Sequence, residues 1–307
     1  MDKKIVITPR SLSKGGHPAL KLIEEAGYSI VCPAPGKQPN ESELLNTIGD
    51  AVGLLAGVEP VSAKVLEQAK NLKVISRNGI GIDNIDLEAA EKLNIKICKT
   101  PGANARGVAE LTFAHILASI RNIPQNDADM KSKNWKRNKG QELEGKTLGL
   151  VGCGAIGKIV ATFALAFDMN ILAYDPYPDN TFNPGERFKF CSKEVLLESA
   201  DIISLHCPSN PDHSPVIGQK ELDKMKEGLF LINTARYNLL DKDAVHKALD
   251  AGKIKGLTLD AFDQEPPADW SLVTHPNVIA TSHIGGYTVE SIDRSTYQAV
   301  ENLLDNL

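Results

Sequence analysis

Two consecutive α/β units, each a doubly wound parallel sheet with helices on both faces, are the fold class this sequence predicts. Three observations predict it. Short apolar runs alternate with amphipathic stretches nearly from end to end, which is the pattern of βαβ units. The apolar runs lack the period-two polar alternation of a half-exposed sheet, as strands buried on both faces should. At mid-chain one such run passes straight into a glycine-rich turn and another helix.

In the first series, residues 4–8 (KIVIT), 28–31, 51–56, 73–76 and 95–98 read as strands. Residues 18–26, 41–48, 63–70 and 86–93 read as helices, and Gly27 suits the stop of the first. A longer apolar helix over 104–121 must be core or interface. Residues 122–145 are polar and basic, and Lys131, Lys133, Lys136, Arg137 and Lys139 read as a solvated arm or helix face. The second series has strands at 147–151, 170–174, 202–206, 229–233, 256–260 and 278–282. Six strands with intervening helices make a complete doubly wound nucleotide-binding unit. After Gly286 the chain reads as helix with no sheet left to join, so this tail should return to the first series. The expected organisation is a discontinuous outer domain, 1–100 and 285–307, around a central domain, 101–284.

With 42% hydrophobic and 24% charged residues, a disordered chain is excluded. The balance of 34 basic and 39 acidic residues, net -5, argues against a nucleic-acid binder. No apolar run reaches the ~18 residues of a membrane helix. The opening MDKKIVITPR has no apolar leader core, so a cytoplasmic protein starting directly in its first strand is expected. Cys32, Cys98, Cys153, Cys191 and Cys207 are scattered with no C-x-x-C pair, so reduced thiols are expected, with neither disulfides nor a metal site.

The run 147–151 enters Gly152-Cys153-Gly154-Ala155-Ile156-Gly157, a G-x-G-x-x-G that opens a helix. Gly152 permits the tight turn, Gly154 lets backbone approach a pyrophosphate, and Gly157 lets helix and strand pack closely. A helix N-terminus there offers free N–H groups to phosphate. Asp175 ends the next strand, 18 residues after Gly157, where a carboxylate suits ribose hydroxyls and opposes a 2′-phosphate. The expected cofactor is NAD rather than NADP.

Ligands of open α/β sheets sit beyond the carboxyl ends of the strands. Arg236, Glu265 and His283 lie at such ends after the glycine loop. Singly, each has an ordinary reading: surface ion pair, loop residue, structural histidine. Together they suit oxidation of a secondary alcohol. An imidazole, with an unperturbed pKa of about 6.5, takes the proton as the hydride leaves. A carboxylate beside it holds one tautomer. A guanidinium clamps a carboxylate or polarises a carbonyl. For His206 a cofactor-wall role and a packing role both stand. Cys207 beside it is not read as a nucleophile partner, because adjacent strand residues point to opposite faces.

The stretches VGCGAIG, LHCP, NTAR, DAFDQEPP and SHIGG, with RNGIGIDNID and NARGVAELTFAHILA upstream, occur in order and cover nearly the whole chain. In this set the sequence resembles the D-isomer-specific 2-hydroxyacid dehydrogenases, and most nearly the branch acting on 3-phosphoglycerate. The resemblance implies a Rossmann NAD-binding domain inserted in a flavodoxin-like substrate domain, and a homodimer built through the central domain. It implies that Arg236 binds and polarises substrate, Glu265 tunes the histidine and His283 is the acid/base. Asp260, Thr234, Ala235, Ala155, Ile156, Arg236 and the stretch from His283 through Gly285 and Gly286 would touch the cofactor, with His206 and Cys207 beside it. Arg77, Asn78, Gly79 and Ile80 would face the substrate carboxylate.

Two departures weaken the substrate assignment. Tyr237-Asn238 follows the arginine where the family usually has small residues, so the Tyr either points outward or reshapes the pocket. Residues 53–62 (GLLAGVEPVS) carry no Arg to meet a phosphate, which leaves Arg77 and the basic arm as sources of charge, or a substrate without phosphate. Because the chain stops at Leu307, no C-terminal serine-sensing domain is expected. The expected partner is a small 2-hydroxy or 2-oxo acid, 3-phosphoglycerate first, with hydroxypyruvate, glyoxylate or D-lactate-type substrates as alternatives. From another class, the alternative is a non-catalytic NAD(H)-sensing binding protein that resembles corepressors.

Overall fold

The computed structural model describes residues 3–307. It divides into two compact units, one of residues up to 104 together with 289–307, the other of residues 105–288.

Among the described residues the first unit holds five strands: β1 Lys3–Ile7, β2 Tyr28–Val31, β3 Ala51–Ala56, β4 Val74–Arg77 and β5 Lys96–Cys98. All pairings are parallel, in the order β2-β1-β3-β4-β5. This is the flavodoxin-like order, with its switch point between β1 and β3. Side chains on a strand alternate faces, and here both faces are covered. Val6 packs into one apolar cluster with Leu54, Val65 and Ile75, whereas Ile5 and Ile7 pack into the other with Leu55, Val74 and Leu303. That two-sided burial is why the run KIVI shows no polar alternation. The helix Val289–Leu304 closes the second face, burying Ala299, Val300 and Leu303, and the carbonyl of Ala299 accepts from Ser76 Oγ at 2.7 Å.

The second unit holds seven strands, not six: β6 Thr147–Val151, β7 Asn170–Tyr174, β8 Phe188–Phe190, β9 Ile202–Leu205, β10 Leu229–Asn233, β11 Ile254–Leu259 and β12 Val278–Ala280. They pair in parallel in the order β12-β11-β10-β9-β6-β7-β8. The helix Ala105–Ile120 lies on one face with the helix Ala155–Ala166; Ile116, Leu150, Val160 and Ile232 meet there. Leu196, Leu231, Val245 and Leu257 fill the other face. The strand beyond the expected six is β8, three residues at the sheet edge that pair with β7. In the polar stretch, Ile123–Lys131 forms a helix with Pro124 in its first turn and no buried residue. It lacks an apolar stripe, so periodicity does not reveal it.

Among the described residues no helix is long and apolar enough to cross a membrane. Nor do three His, Cys, Asp or Glu side chains among them gather as a metal-holding group.

Candidate active site

The loops after β6 and β9 meet at the point where the strand order of the second sheet reverses. Gly152 takes φ +96°, and a Cβ on it would lie 2.7 Å from the carbonyl carbon and oxygen of His206 and 2.8 Å from the N of Cys207. On Gly157 a Cβ would stand 2.5 Å from the carbonyl oxygen of Gly152. Neither position has room for a side chain. Around Gly154, by contrast, nothing lies within 4 Å of an added Cβ, so the helix Ala155–Ala166 begins with open space over its N-terminus. That cradle fits a pyrophosphate, which needs exposed N–H groups and close backbone approach. Ala155 and Ile156 form the first turn of this helix.

Asp175 follows β7. Its carboxylate accepts from the N–H of Cys153 at 2.8 Å and of Tyr177 at 2.9 Å, which anchors it beside the glycine loop. His206 Nε2 meets Ser204 Oγ at 2.9 Å, and burial pulls the imidazole down to about 4. His206 is therefore neutral at ordinary pH. Burial pushes the Cys207 thiol up to about 11, with a backbone hydrogen bond and Lys193 opposing, and the side chain packs on the apolar core. A thiol so placed stays protonated and is a poor nucleophile.

At the ends of β10, β11 and β12 the structure brings Arg236, Glu265 and His283 into one neighbourhood. His283 Nδ1 lies 2.7 Å from Glu265 Oε1. The same carboxylate oxygen accepts from Phe262 N–H at 3.2 Å. Burial alone would raise the Glu265 carboxyl. The hydrogen bond and charge of His283, the Phe262 N–H and the Arg236 charge outweigh it and hold the group below the usual carboxylate range. Both partners stay open to solvent, His283 at 45% and Glu265 at 37% side-chain exposure, so small molecules can reach them. Arg236 donates from Nη1 to the carbonyl of Ala235 at 2.8 Å. Asn233, the last residue of β10, ties the turn: its Nδ2 donates to Arg236 O at 2.8 Å and its Oδ1 accepts from Ala235 N at 3.1 Å. Thr234 is buried and shares a 2.7 Å hydroxyl contact with Thr112.

His283 sits in left-handed backbone, φ 54°. For a residue with a Cβ that costs on the order of 1–2 kcal/mol. Asp260, 1% exposed, holds the turn: it accepts from Ile284 N at 2.9 Å, Gly285 N at 2.8 Å and Thr281 Oγ at 2.6 Å. Hydrogen bonds to a charged group contribute about 1.5–3 kcal/mol each, so the network outweighs the backbone strain. Thr281 also meets His115 Nε2 at 3.2 Å. Sequence reasoning did not find Thr281, Thr112 or His115; the only signal was that Thr281 stands two residues before His283 and His115 lies on an apolar helix. Gly285 is buried against Asp260, and Gly286 follows it half-buried.

Asn78, Gly79 and Ile80 form the loop after β4 in the other unit. Asn78 N–H donates to Ala56 O at 2.9 Å, and Gly79 O accepts from Thr100 N–H at 3.0 Å. Ile80 is exposed at 37%. Arg77 does not project: it is 9% exposed, with its guanidinium turned onto the Asn78 carbonyl and against Gly79. The buried Glu59 lies within its electrostatic reach. Tyr237 does not point outward. Its ring is half-buried on the apolar core and tilted against Phe262.

Comparison with known proteins fits this geometry. Residues 113–285 match the NAD binding domain of the D-isomer specific 2-hydroxyacid dehydrogenases. The chain is 42% identical over 282 residues to a D-3-phosphoglycerate dehydrogenase of Methanocaldococcus jannaschii, covering 89% of this chain and 52% of that protein. It is 40% identical over 273 residues to a hydroxypyruvate reductase of Thermotoga maritima, covering 87% and 88%. Among solved structures, the D-lactate dehydrogenase of Aquifex aeolicus complexed with NAD and lactic acid superposes with a TM-score of 0.82 at 29% identity, covering 98% of this chain and 94% of that one. The chain belongs to the D-isomer specific 2-hydroxyacid dehydrogenase family, and its 105–288 unit carries the family's NAD-binding domain. It spans about half the length of the phosphoglycerate dehydrogenase it matches and most of the hydroxypyruvate reductase.

Proposed function

We propose that this chain is an NAD-dependent oxidoreductase that interconverts a D-2-hydroxy acid and its 2-oxo acid. The observation that carries the proposal is the 2.7 Å contact of His283 with Glu265, on the same unit as the glycine cradle. NAD bound on that cradle supplies the hydride acceptor. With Nδ1–H donating to the Glu265 carboxylate, Nε2 of His283 is the nitrogen left to take the hydroxyl proton, or to return it to the carbonyl oxygen in the reverse direction. The Arg236 guanidinium binds the substrate carboxylate and polarises the C2 carbonyl. Asp175 holds the ribose.

The first substrate pair is 3-phosphoglycerate and 3-phosphohydroxypyruvate, supported by the likeness to the Methanocaldococcus protein. Hydroxypyruvate is the second reading, favoured by the near full-length match to the Thermotoga reductase and by the inward turn of Arg77. The test is NADH oxidation at 340 nm against 3-phosphohydroxypyruvate, hydroxypyruvate, glyoxylate and pyruvate. His283→Asn should lower turnover about 10²–10⁴-fold with NADH affinity nearly intact. Undiminished turnover in that variant would remove His283 from the chemistry, and NADH binding without any reduction would favour a sensing role.

A further inference from the structure

We infer that Tyr237 is a positioning residue: its ring braces Phe262, and through Phe262 it keeps Glu265 on His283. The importance of that contact for turnover rests on the reaction proposed above, whereas the bracing itself does not.

The two rings lie 6.2 Å apart between centroids with their planes at 35°. That separation falls in the range where aromatic pairs attract beyond simple burial. Both rings pack on the same apolar cluster as Leu239 and Leu240. The platform under Tyr237 is tied down. It opens a single 3-10 turn, Tyr237–Leu239, and its carbonyl accepts from Leu240 N–H at 3.1 Å. Asn233 holds the preceding turn, and the next residue, Asn238, accepts from Ser209 Oγ at 2.7 Å.

The far end of the brace is the segment that carries Glu265. Of residues 262–266, Phe262 alone is withdrawn from solvent; Asp263, Gln264, Glu265 and Pro266 are exposed. Water therefore competes for the Glu265 carboxylate, and the segment's apolar anchor is the Phe262 ring. Its backbone N–H reaches Glu265 Oε1, the oxygen that also meets His283 Nδ1. A second tie between the two loops, the ion pair of Lys242 with Asp269, is substantially exposed and contributes little. Lys242, Asp243, Asp263 and Asp269 surround the phenol electrostatically, while Arg236 and His283 face Glu265. The contact is between the two tilted rings, so the ring is required and the hydroxyl is not.

The test follows the Nδ1–H proton of His283 by NMR in the isotopically labelled full chain, with its resonance assigned through His283→Asn. Tyr237→Phe should keep the wild-type, hydrogen-bonded downfield position. Tyr237→Ala and, from the other end of the contact, Phe262→Leu should each move it upfield or broaden it, because the carboxylate acceptor is held less firmly on Nδ1–H. In a Glu265→Gln background Tyr237→Ala should add no further change. An unmoved resonance in both loosening variants, or an equal change without the Glu265 carboxylate, would overturn the inference. A second arm measures NADH-dependent reduction in the same variants: kcat should fall about 2- to 10-fold with KM for NADH unchanged. A moved resonance in a protein that reduces no 2-oxo acid would sink the proposed reaction and leave the brace standing. Full activity with an unmoved resonance would do the reverse.

Discussion

Glu265 and His206 show how one fold sets two ionisable groups differently. The His206 ring has Ser204 as its hydrogen-bond partner, and desolvation pulls it down to about 4, so it remains neutral. Glu265 is half-exposed and keeps its charge because His283, Phe262 N–H and Arg236 together outweigh its burial. A carboxyl held low contributes stability that is present above its unfolded value and lost as pH falls through the folded one. The difference in urea midpoint between wild type and Glu265→Gln should therefore be largest near pH 6 and shrink below about pH 4. A difference that stays constant down to pH 3 would show that the pairing adds nothing to folding. The triad residues were legible singly, from strand ends and residue types. Their supporting contacts were not, because Thr281 and His115 look like ordinary helix and strand residues until the turn at His283 folds back on Asp260.

Strand β6, the glycine turn and the helix Ala155–Ala166 form the element on which we propose that cofactor binding depends. The two outer glycines differ in kind from the middle one. Gly157→Ala would press a methyl group to within 2.5 Å of the Gly152 carbonyl oxygen, backbone that must shift to admit it. Overpacking of this sort costs about 1–3 kcal/mol, so the melting temperature should drop along with NADH affinity. Gly154→Ala meets no protein atom and should keep the melting temperature while weakening NADH binding. Thermal unfolding and NADH fluorescence titration separate the two, and equal melting losses would contradict this division of roles. This element could be read from sequence because strand, turn and helix are contiguous and each carries a local pattern. The edge strand β8 and the helix Ile123–Lys131 could not. One is three residues long, and the other buries no residue and carries too few apolar side chains to show a period.

At the level of the whole molecule, both sheets are parallel and both belong to the doubly wound class expected of the alternating runs. The assembly we propose is a homodimer through the 105–288 unit. Several large apolar side chains of that unit are exposed, among them Ile123, Met130, Trp135 and Phe167. Apolar exposure of this kind marks contact surfaces when it is contiguous. Analytical ultracentrifugation at micromolar concentration should give the mass of two chains, and replacing Met130 and Trp135 with Glu should shift it toward one. A single-chain mass for the unaltered protein would exclude a stable dimer.

What the sequence determined by itself was whatever depends on neighbours along the chain: the βαβ alternation, burial of strands on both faces, the positions of the glycines and the acid at the end of β7. What the tertiary structure alone decided was how separate segments meet. Whether Glu265 reaches His283 18 residues away, whether Arg77 turns inward, and where the Tyr237 ring lies are set by sheet order and packing. Those distances are fixed by long-range contacts, and a local pattern of side chains carries no record of them.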